Sequence, residues 1–241
     1  VKSLELELDS PMKHLLSTTF AALMALTAPV LSDSPVVVEL FTSQGCSSCP
    51  PADKMLHALA ERDDVIALAL HVDYWDYIGW KDQFAQTKFT KRQRNYAALG
   101  NRRSIYTPQM IVSGVTSVVG AKAIELSEAI SAHTATPSGV DLSLTREGNS
   151  VVVYGDANGA EGPFVVQIVR YAPRIEVRIT RGENAGKTLA YANVVTEWNV
   201  LGEWDGIKPL SMSTRLNADV PVVVIVQKQQ FGPILAAARL R

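Results

Sequence analysis

The chain reads Val36-Val37-Val38-Glu39-Leu40-Phe41 and then, after Thr42-Ser43-Gln44-Gly45, continues Cys46-Ser47-Ser48-Cys49-Pro50-Pro51. The apolar run is typical of a buried strand, and it leads into the only two cysteines of the sequence. A Cys-x-x-Cys pair where a strand gives way to a helix is typical of proteins that exchange disulfides. The sequence therefore predicts a redox site at Cys46 and Cys49.

The two cysteines have different expected roles. Free backbone N–H groups and the dipole at a helix N-terminus favour a thiolate at the first cysteine, so Cys46 is expected to attack and Cys49 to resolve the mixed disulfide. Proline disfavours a helical conformation in the residue before it. A helix that begins only at Pro50 or Pro51 therefore directs its dipole more at Cys49 than at Cys46.

Other side chains are candidates for the same site. Glu39 lies on the strand before the motif, where a buried carboxylate could carry the proton of Cys49; the alternative is a partly exposed glutamate at the strand end. Thr107-Pro108 precedes a predicted strand and is a candidate cis-proline loop. Tyr74 and Trp75 follow the second predicted strand, where an α/β sheet binds its ligand, although aromatic residues also fill local cores.

The periodicity of the chain changes near its middle. A strand at 36–41, a helix at about 51–62 and a strand at 65–72 indicate a parallel βαβ unit. A helical insertion at 73–106 is then followed by two short strands and a helix. After a turn-rich break at 134–139 the apolar residues alternate with period two, with separate strands predicted at 164–171 and 175–180 among others, which is typical of a β-sandwich.

The motifs resemble those of the thioredoxin superfamily. From Pro35 onward the chain is also similar to the secreted bacterial family of unknown function DUF1223, through Asp73-Tyr74-Trp75-Asp76, Tyr106-Thr107-Pro108-Gln109 and the run 181–186. This resemblance implies a thioredoxin-like N-terminal domain and a periplasmic location. It also implies Cys46 and Cys49 as the redox pair, Glu39 as the carboxylate beneath it and Pro108 as the cis-proline.

The predicted fold class is an α/β thioredoxin-like N-terminal domain followed by an all-β, sandwich-like C-terminal domain. The first domain is expected at 33–136, with its helical insertion at 73–106, and the second at 137–241. Residues 1–32 are expected to contain a signal peptide. Met12-Lys13-His14 is its positive region, Leu15 to Leu26 its apolar region, and cleavage is predicted near Ser32; an uncleaved membrane anchor is the alternative.

The charge balance narrows the classes of partner. Without residues 1–32 the acidic and basic side chains are equal in number, so the mature protein has no electrostatic attraction to nucleic acid or to an anionic membrane. Export to the periplasm or beyond would allow Cys46 and Cys49 to form a disulfide. The expected partners are exported protein thiols or disulfides and a redox partner.

The predicted function is that of an exported thiol–disulfide oxidoreductase without a cofactor. One alternative is a non-catalytic binding protein in which the disulfide is structural and the region of Trp75 binds the ligand. Another is a copper-handling protein, with Met55 or Met110 near the two thiolates. No metal site is predicted, because the histidines of the mature chain are not clustered.

Overall fold

The computed structural model describes residues 34–216 and 220–241. The predicted signal peptide lies outside the described residues. The first half contains β1 (Val36–Thr42), α1 (Pro50–Ala60), β2 (Val65–His71), a short 3-10 helix (Asp76–Ile78), α2 (Thr87–Leu99), β3 (Gln109–Val112), β4 (Thr116–Val119) and α3 (Ala123–Thr134). The second half contains β5 (Val140–Glu147), β6 (Ser150–Ala157), β7 (Phe164–Arg178), β8 (Thr188–Trp204), β9 (Leu210–Arg215), β10 (Val222–Lys228) and β11 (Ile234–Leu240).

Most of the strands belong to one mixed sheet. Its order is β11-β10-β7-β8-β2-β1-β3-β4, and β5-β6-β9 form a second sheet of three strands. β1 is parallel to β2 and antiparallel to β3. The two halves of the chain join where β2 pairs in parallel with β8, Ala69 lying opposite Val194.

The predicted fold class is wrong. An α/β thioredoxin-like domain followed by a separate all-β domain would keep two sheets apart, but β7, β8, β10 and β11 continue the sheet of β1 to β4. All seven residues of β2 are buried, so a free β2 edge would leave buried backbone groups without partners. β8 covers that edge, and the side chain of Asn193 donates a hydrogen bond of 2.8 Å to the carbonyl oxygen of Ala67.

The two faces of the sheet are packed by different helices. Because successive side chains of a strand point to opposite faces, alternate residues of β1 belong to different cores. Val36, Val38 and Leu40 pack with α1 and α3. Val37 and Phe41 pack on the other face with α2, in a core that also takes side chains from β7, β8 and β10. One hydrophobic core therefore crosses from the first half of the chain to the second.

β7 and β8 form a hairpin whose strands are longer than those predicted from the alternation of apolar residues. Residues 164–171 and 175–180, expected as two strands, belong mostly to β7, which continues through Pro173 between the paired residues Ala172 and Arg174. β8 packs against α1, and the far end of the hairpin packs against Trp80 and Phe84. The hairpin thus carries second-half residues to the neighbourhood of α1. In the described part of the chain, no helix has the length and apolar character needed to cross a membrane.

Candidate functional site

The predicted disulfide is present at the start of α1. Cys46 and Cys49 are joined, with their Cα atoms 5.4 Å apart. Cys49 is the residue that precedes the helix, and its carbonyl oxygen accepts hydrogen bonds from the backbone N–H groups of Ala52 and Asp53 at 2.9 and 3.1 Å. The helix begins at Pro50, where a missing N–H costs no helical hydrogen bond. The helix terminus therefore abuts Cys49 directly.

Both cysteines are covered. Each has a relative exposure of 0%, whereas Ser47 and Ser48 between them are exposed. The hydroxyl oxygen of Ser48 lies 3.4 Å from Cys46 Sγ. The part of the Cys-x-x-Cys segment that solvent reaches is therefore the two serines and not the sulfurs.

Asn184 holds the far end of the hairpin over this loop. Its side-chain amide donates hydrogen bonds to the carbonyl oxygens of Gln44 and Cys46, at 3.0 and 2.9 Å, and its own amide oxygen accepts one of 2.9 Å from Lys187 Nζ. Asn184 is itself buried. The sequence predicts a long hairpin loop at 181–186, with an anion-binding turn as the alternative. We call residues 179–187 the cover loop.

A second segment packs against the same loop. Trp80 Nε1 donates a hydrogen bond of 2.7 Å to Gln44 Oε1. A Cβ atom added at Gly45 would lie 3.0 Å from Trp75 Cβ, which shows how closely the residues around the 3-10 helix approach the motif. The loop before the cysteines is therefore held from two sides.

The acidic residue in the first turn of α1 is Asp53. Asp53 follows Cys49 by four residues, so the two share one face of α1. It is buried, and its carboxylate accepts a hydrogen bond of 2.8 Å from Thr42 Oγ1. Burial raises the pKa of Asp53 to about 7, against the lowering effects of His71 and of the Thr42 hydrogen bond. A carboxyl group with this pKa can give or take a proton near neutral pH.

A buried histidine–carboxylate pair lies beside Asp53. His71 Nδ1 is 2.7 Å from Asp82 Oδ2, and both side chains are buried. Asp82 also accepts hydrogen bonds from the backbone N–H groups of Gln44 and Phe84. Although burial alone would raise the pKa of Asp82, the His71 charge and these hydrogen bonds hold it below its ordinary value. Asp82 thus links β2 to the loop that carries the cysteines.

Glu39 lies on the other face of the sheet. It shares that face with Val37 and Phe41, and its carboxylate accepts hydrogen bonds of 2.6 Å from both Arg92 Nε and the Tyr96 hydroxyl. Arg92 is buried with it, and its guanidinium carbon lies 4.0 Å from the centre of the Trp198 ring. The structure therefore brings Glu39 to α2 and not to α1, where the cysteines are.

Of the remaining predicted residues, Trp75 lies against the cysteine loop. Trp75, half-buried, donates a hydrogen bond of 2.7 Å from Nε1 to Thr107 Oγ1, and the peptide bond between Thr107 and Pro108 is cis. The Tyr74 hydroxyl donates one of 3.2 Å to Gln93 on α2, and burial raises the pKa of Tyr74 to about 12. Trp75 and Thr107 are therefore joined to each other, while Tyr74 is directed at α2.

The described residues offer no group of three or more histidine, cysteine or acidic side chains that could hold a metal ion. The two methionines considered for copper lie in the core beneath α1, where Met110 is fully buried and Met55 partly so. The cysteine sulfurs are bonded to each other, and a metal would need them as thiolates.

Four residues at this site were not singled out for it from the sequence: Asp53, His71, Asp82 and Asn184. Asp53 had a usable signal in its spacing of four from Cys49 on a predicted helix. His71 stands at the end of a buried strand, where parallel strands bring their functional residues. Asp82 and Asn184 lie in loops, and only the tertiary structure identifies them.

A family model described as "Protein of unknown function (DUF1223)" matches residues 37–227. The chain belongs to the DUF1223 family. The match includes both cysteines and the cover loop. A search of curated proteins finds no match.

Two solved structures are similar to this DUF1223 protein. Protein AGR_C_4864 from Agrobacterium tumefaciens is 30% identical, with a TM-score of 0.76, over 87% of this chain and 95% of that one. HBP35 of Porphyromonas gingivalis is 18% identical, with a TM-score of 0.54, over 86% of this chain and 75% of that one. The second likeness shows a shared fold alone.

Proposed function

We propose that this DUF1223 protein exchanges its Cys46–Cys49 disulfide with the thiols or disulfides of other proteins. The observation that carries the proposal is the placement of the disulfide at the N-terminus of α1 with the Asp53 carboxyl one helical turn further on. A helix N-terminus favours a thiolate at the adjacent sulfur, which makes the pair reducible and reactive.

The exchange proceeds through a mixed disulfide. A thiolate of a partner protein attacks Cys46 Sγ; the bond between the two cysteines breaks, and Cys49 leaves as a thiolate. Asp53 gives this thiolate its proton and becomes a carboxylate. The second thiolate of the same partner protein then attacks the partner's sulfur in the mixed disulfide, and Cys46 leaves as a thiolate. The partner dithiol is oxidised to a disulfide, and the Cys46–Cys49 pair is reduced; the reverse sequence reduces a partner disulfide.

Asp53 takes the role that the sequence assigned to Glu39. A proton donor must come within hydrogen-bond reach of the group it serves, directly or through one water. Asp53 shares a helix face with Cys49, whereas the Glu39 carboxylate is held by Arg92 and Tyr96 on the opposite side of the sheet. The raised pKa of Asp53 also keeps part of the carboxyl population protonated near neutral pH.

The burial of both cysteines requires a movement before a partner can react. The cover loop is tied to the motif by the two hydrogen bonds of Asn184. A typical hydrogen bond contributes only about 0.5–1.5 kcal/mol to stability, so opening this contact is accessible by thermal motion. We propose that partner proteins displace the cover loop and then meet Cys46 first.

The proposed location is outside the cytoplasm, in the periplasm or in secretions. Two features support it: the disulfide, which persists in oxidising compartments, and the signal-like segment at 12–32 of the sequence. The proposed partners are therefore exported proteins with free or bonded cysteines, together with a redox partner that restores the pair.

Mixed-disulfide trapping tests the proposal. With Cys49→Ser, the thiolate of Cys46 has no resolving partner, so adducts with other proteins accumulate and are seen on a non-reducing gel after expression in a bacterial periplasm. Cys46→Ser is the matched control, and we expect far fewer adducts because in the proposed sequence Cys46 forms the bond to the partner and Cys49 only resolves it. Absence of adducts from both variants would contradict the proposal.

The complete covering of both cysteines favours one rival, a non-catalytic protein in which the disulfide only stabilises the loop. The loop closed by the disulfide is very short, so the entropic stabilisation it supplies is small. Reduction of the folded wild-type protein separates the two functions. A disulfide that stays oxidised in excess dithiothreitol until the protein unfolds supports the structural role, whereas reduction under native conditions supports exchange.

A further inference from the structure

We propose that the buried His71–Asp82 pair regulates the exchange site by controlling when the Asp53 carboxyl holds its proton. The inference rests on the proposed function for its consequence in exchange, but the link between His71 and Asp53 can be measured separately. His71 and Asp82 are positioning residues in this account, because they act through Asp53 and do not touch the reacting sulfurs.

The sheet register places His71 next to the residue that binds Asp53. Thr42, the last residue of β1, lies opposite His71, the last residue of β2. Alternation along β1 and β2 puts both side chains on the face that packs against α1. Because Thr42 Oγ1 donates its hydrogen bond to Asp53, the imidazole and the Asp53 carboxyl face one buried region under the start of α1.

Asp82 fixes the orientation of the imidazole. Its Oδ2 atom faces His71 Nδ1 at 2.7 Å, and the same oxygen accepts the backbone N–H of Gln44 at 2.8 Å. The positive charge of this ring lowers the pKa of both Asp82 and Asp53. A buried cation beside Asp53 in turn favours its carboxylate form, against the effect of burial.

Among the described residues, the buried polar atoms without a hydrogen-bond partner include His71 Nε2 and the hydroxyl oxygen of Tyr191, on rings whose centres are 4.9 Å apart. Both residues are almost completely buried. A buried polar group without a partner is unfavourable for stability, so its presence beside a titrating carboxyl points to a role beyond stability.

The charged and titratable groups around Asp53 come from several elements. His71 is on β2, Asp82 follows the 3-10 helix, and the hydroxyl of Tyr191 is on β8. His57, one turn further along α1, also has an unpartnered and buried Nε2 atom. Phe84 packs edge-on against His71 and Tyr191, at ring-centre distances of 5.3 and 6.2 Å. His71 and Asp82 are therefore the charged groups that act on the pKa of Asp53 from outside its own helix.

The effect on exchange follows from charge balance. When Cys49 leaves as a thiolate, the proton moves from the Asp53 carboxyl to sulfur, and a negative charge appears on Asp53. The positive charge on the His71 ring stabilises that new carboxylate, while Asp82 Oδ2, 2.7 Å from the ring, balances it. Loss of the imidazolium makes Asp53 hold its proton more tightly, so the pH range of proton transfer moves upward.

The direct test is the titration of the Asp53 carboxyl by carbon-13 NMR in the oxidised, full-length protein. In His71→Gln, the midpoint is expected to rise, with a proton affinity about tenfold or more above that of the wild type. Phe84→Leu is the matched control, since it changes the packing against His71 without removing a charge, and its midpoint should stay at the wild-type value. An unchanged midpoint in a folded His71→Gln protein would overturn the inference.

The reciprocal measurement needs no change at His71. The nitrogen-15 signals of a ring respond to a change of charge beside it, so those of the wild-type His71 ring should show a step at the midpoint of Asp53. Asp53→Asn should remove that step. Identical His71 profiles in the two proteins would overturn the inference, and this reading holds even where His71→Gln does not fold.

Exchange kinetics separate the inference from the proposed function. The rate at which a dithiol reduces the disulfide, corrected for the thiolate fraction of the dithiol, should fall at a higher pH in His71→Gln than in the wild type. If the NMR midpoints move but the wild-type protein exchanges with no partner, the proposed function fails and the link stands. If the wild type exchanges and the variant keeps the same rate profile, the regulation fails.

Discussion

The side-chain amide of Asn184 donates a hydrogen bond of 2.9 Å to the carbonyl oxygen of Cys46, a residue 138 positions earlier in the chain. A residue from the second half of the sequence thus holds the cover loop against the cysteine loop of the first half. This contact can be removed without touching either sulfur.

Asn184→Ala is expected to speed the reduction of the disulfide by dithiothreitol about tenfold, because the loss of two hydrogen bonds destabilises the closed loop by about 1–3 kcal/mol. The measurement is the rate of thiol release under native conditions. Glu183→Ala, at the exposed neighbouring position, is the control and should react like the wild type. Equal rates for all three proteins would show that the cover loop does not limit access.

Asp53→Asn is expected to change how stability depends on pH. Between about pH 4 and pH 7 the folded protein keeps a proton on Asp53 that the unfolded chain has released, so the wild type loses stability as the pH rises through this window. Each tenfold change in proton affinity corresponds to about 1.4 kcal/mol, which makes the full effect on the order of 4 kcal/mol.

The check is the free energy of unfolding by urea at several pH values. The difference between wild type and Asp53→Asn should fall steadily from pH 4 to pH 8. Glu128→Gln, an exposed change on α3, should give a difference that stays flat. A flat difference for Asp53→Asn as well would mean that Asp53 ionises normally in the folded protein.

Glu39→Gln is expected to cost about 3–5 kcal/mol of stability, because it leaves the Arg92 guanidinium buried without its carboxylate. The double variant Glu39→Leu with Arg92→Met should lose less than the two single changes together. Urea unfolding measures both. The pH profile of disulfide exchange should be unchanged in Glu39→Gln, and a displaced profile would restore Glu39 as the proton carrier.

Gly45→Ala is expected to destabilise the protein by about 1–3 kcal/mol through overpacking. The added Cβ would lie 3.0 Å from Trp75 Cβ and 3.1 Å from Ile78 Cδ1, so the segment around the 3-10 helix must move away from the cysteine loop. Thermal unfolding measures the loss, and Ser47→Ala, in the exposed part of the same loop, should show none. Wild-type stability in Gly45→Ala would indicate that this segment yields without cost.

The local elements near the cysteines could be predicted from the sequence because their signals are local. The apolar run at Val36–Thr42, the prolines at the start of α1 and the spacing of the cysteines each act over a few residues. The disulfide followed from the same spacing. The helix that packs over Glu39 could not be predicted in this way. Period two groups Glu39 with Val37 and Phe41, but it does not tell which helix covers their face of the sheet.

The architecture could not be predicted for a related reason. Pairing between Ala69 and Val194 joins residues that no periodicity connects, and alternation in β8 looks the same whether its neighbour belongs to a sandwich or to the first sheet. Asn184 gave no signal either, since a single amide in a glycine-containing loop is typical of any turn. Both features arise only when the two halves of the chain meet.

The pairing of β2 with β8 also has a consequence for the newly made protein. As the chain grows from its N-terminus, the cysteines are synthesised long before the strand and the loop that later enclose them. Until residues 184 and 194 are in place, neither the cover loop nor β8 hinders the approach of an oxidant to the sulfurs. The two sulfurs are therefore accessible to their first oxidation while the chain is still being made, and they become covered only when the last strands dock.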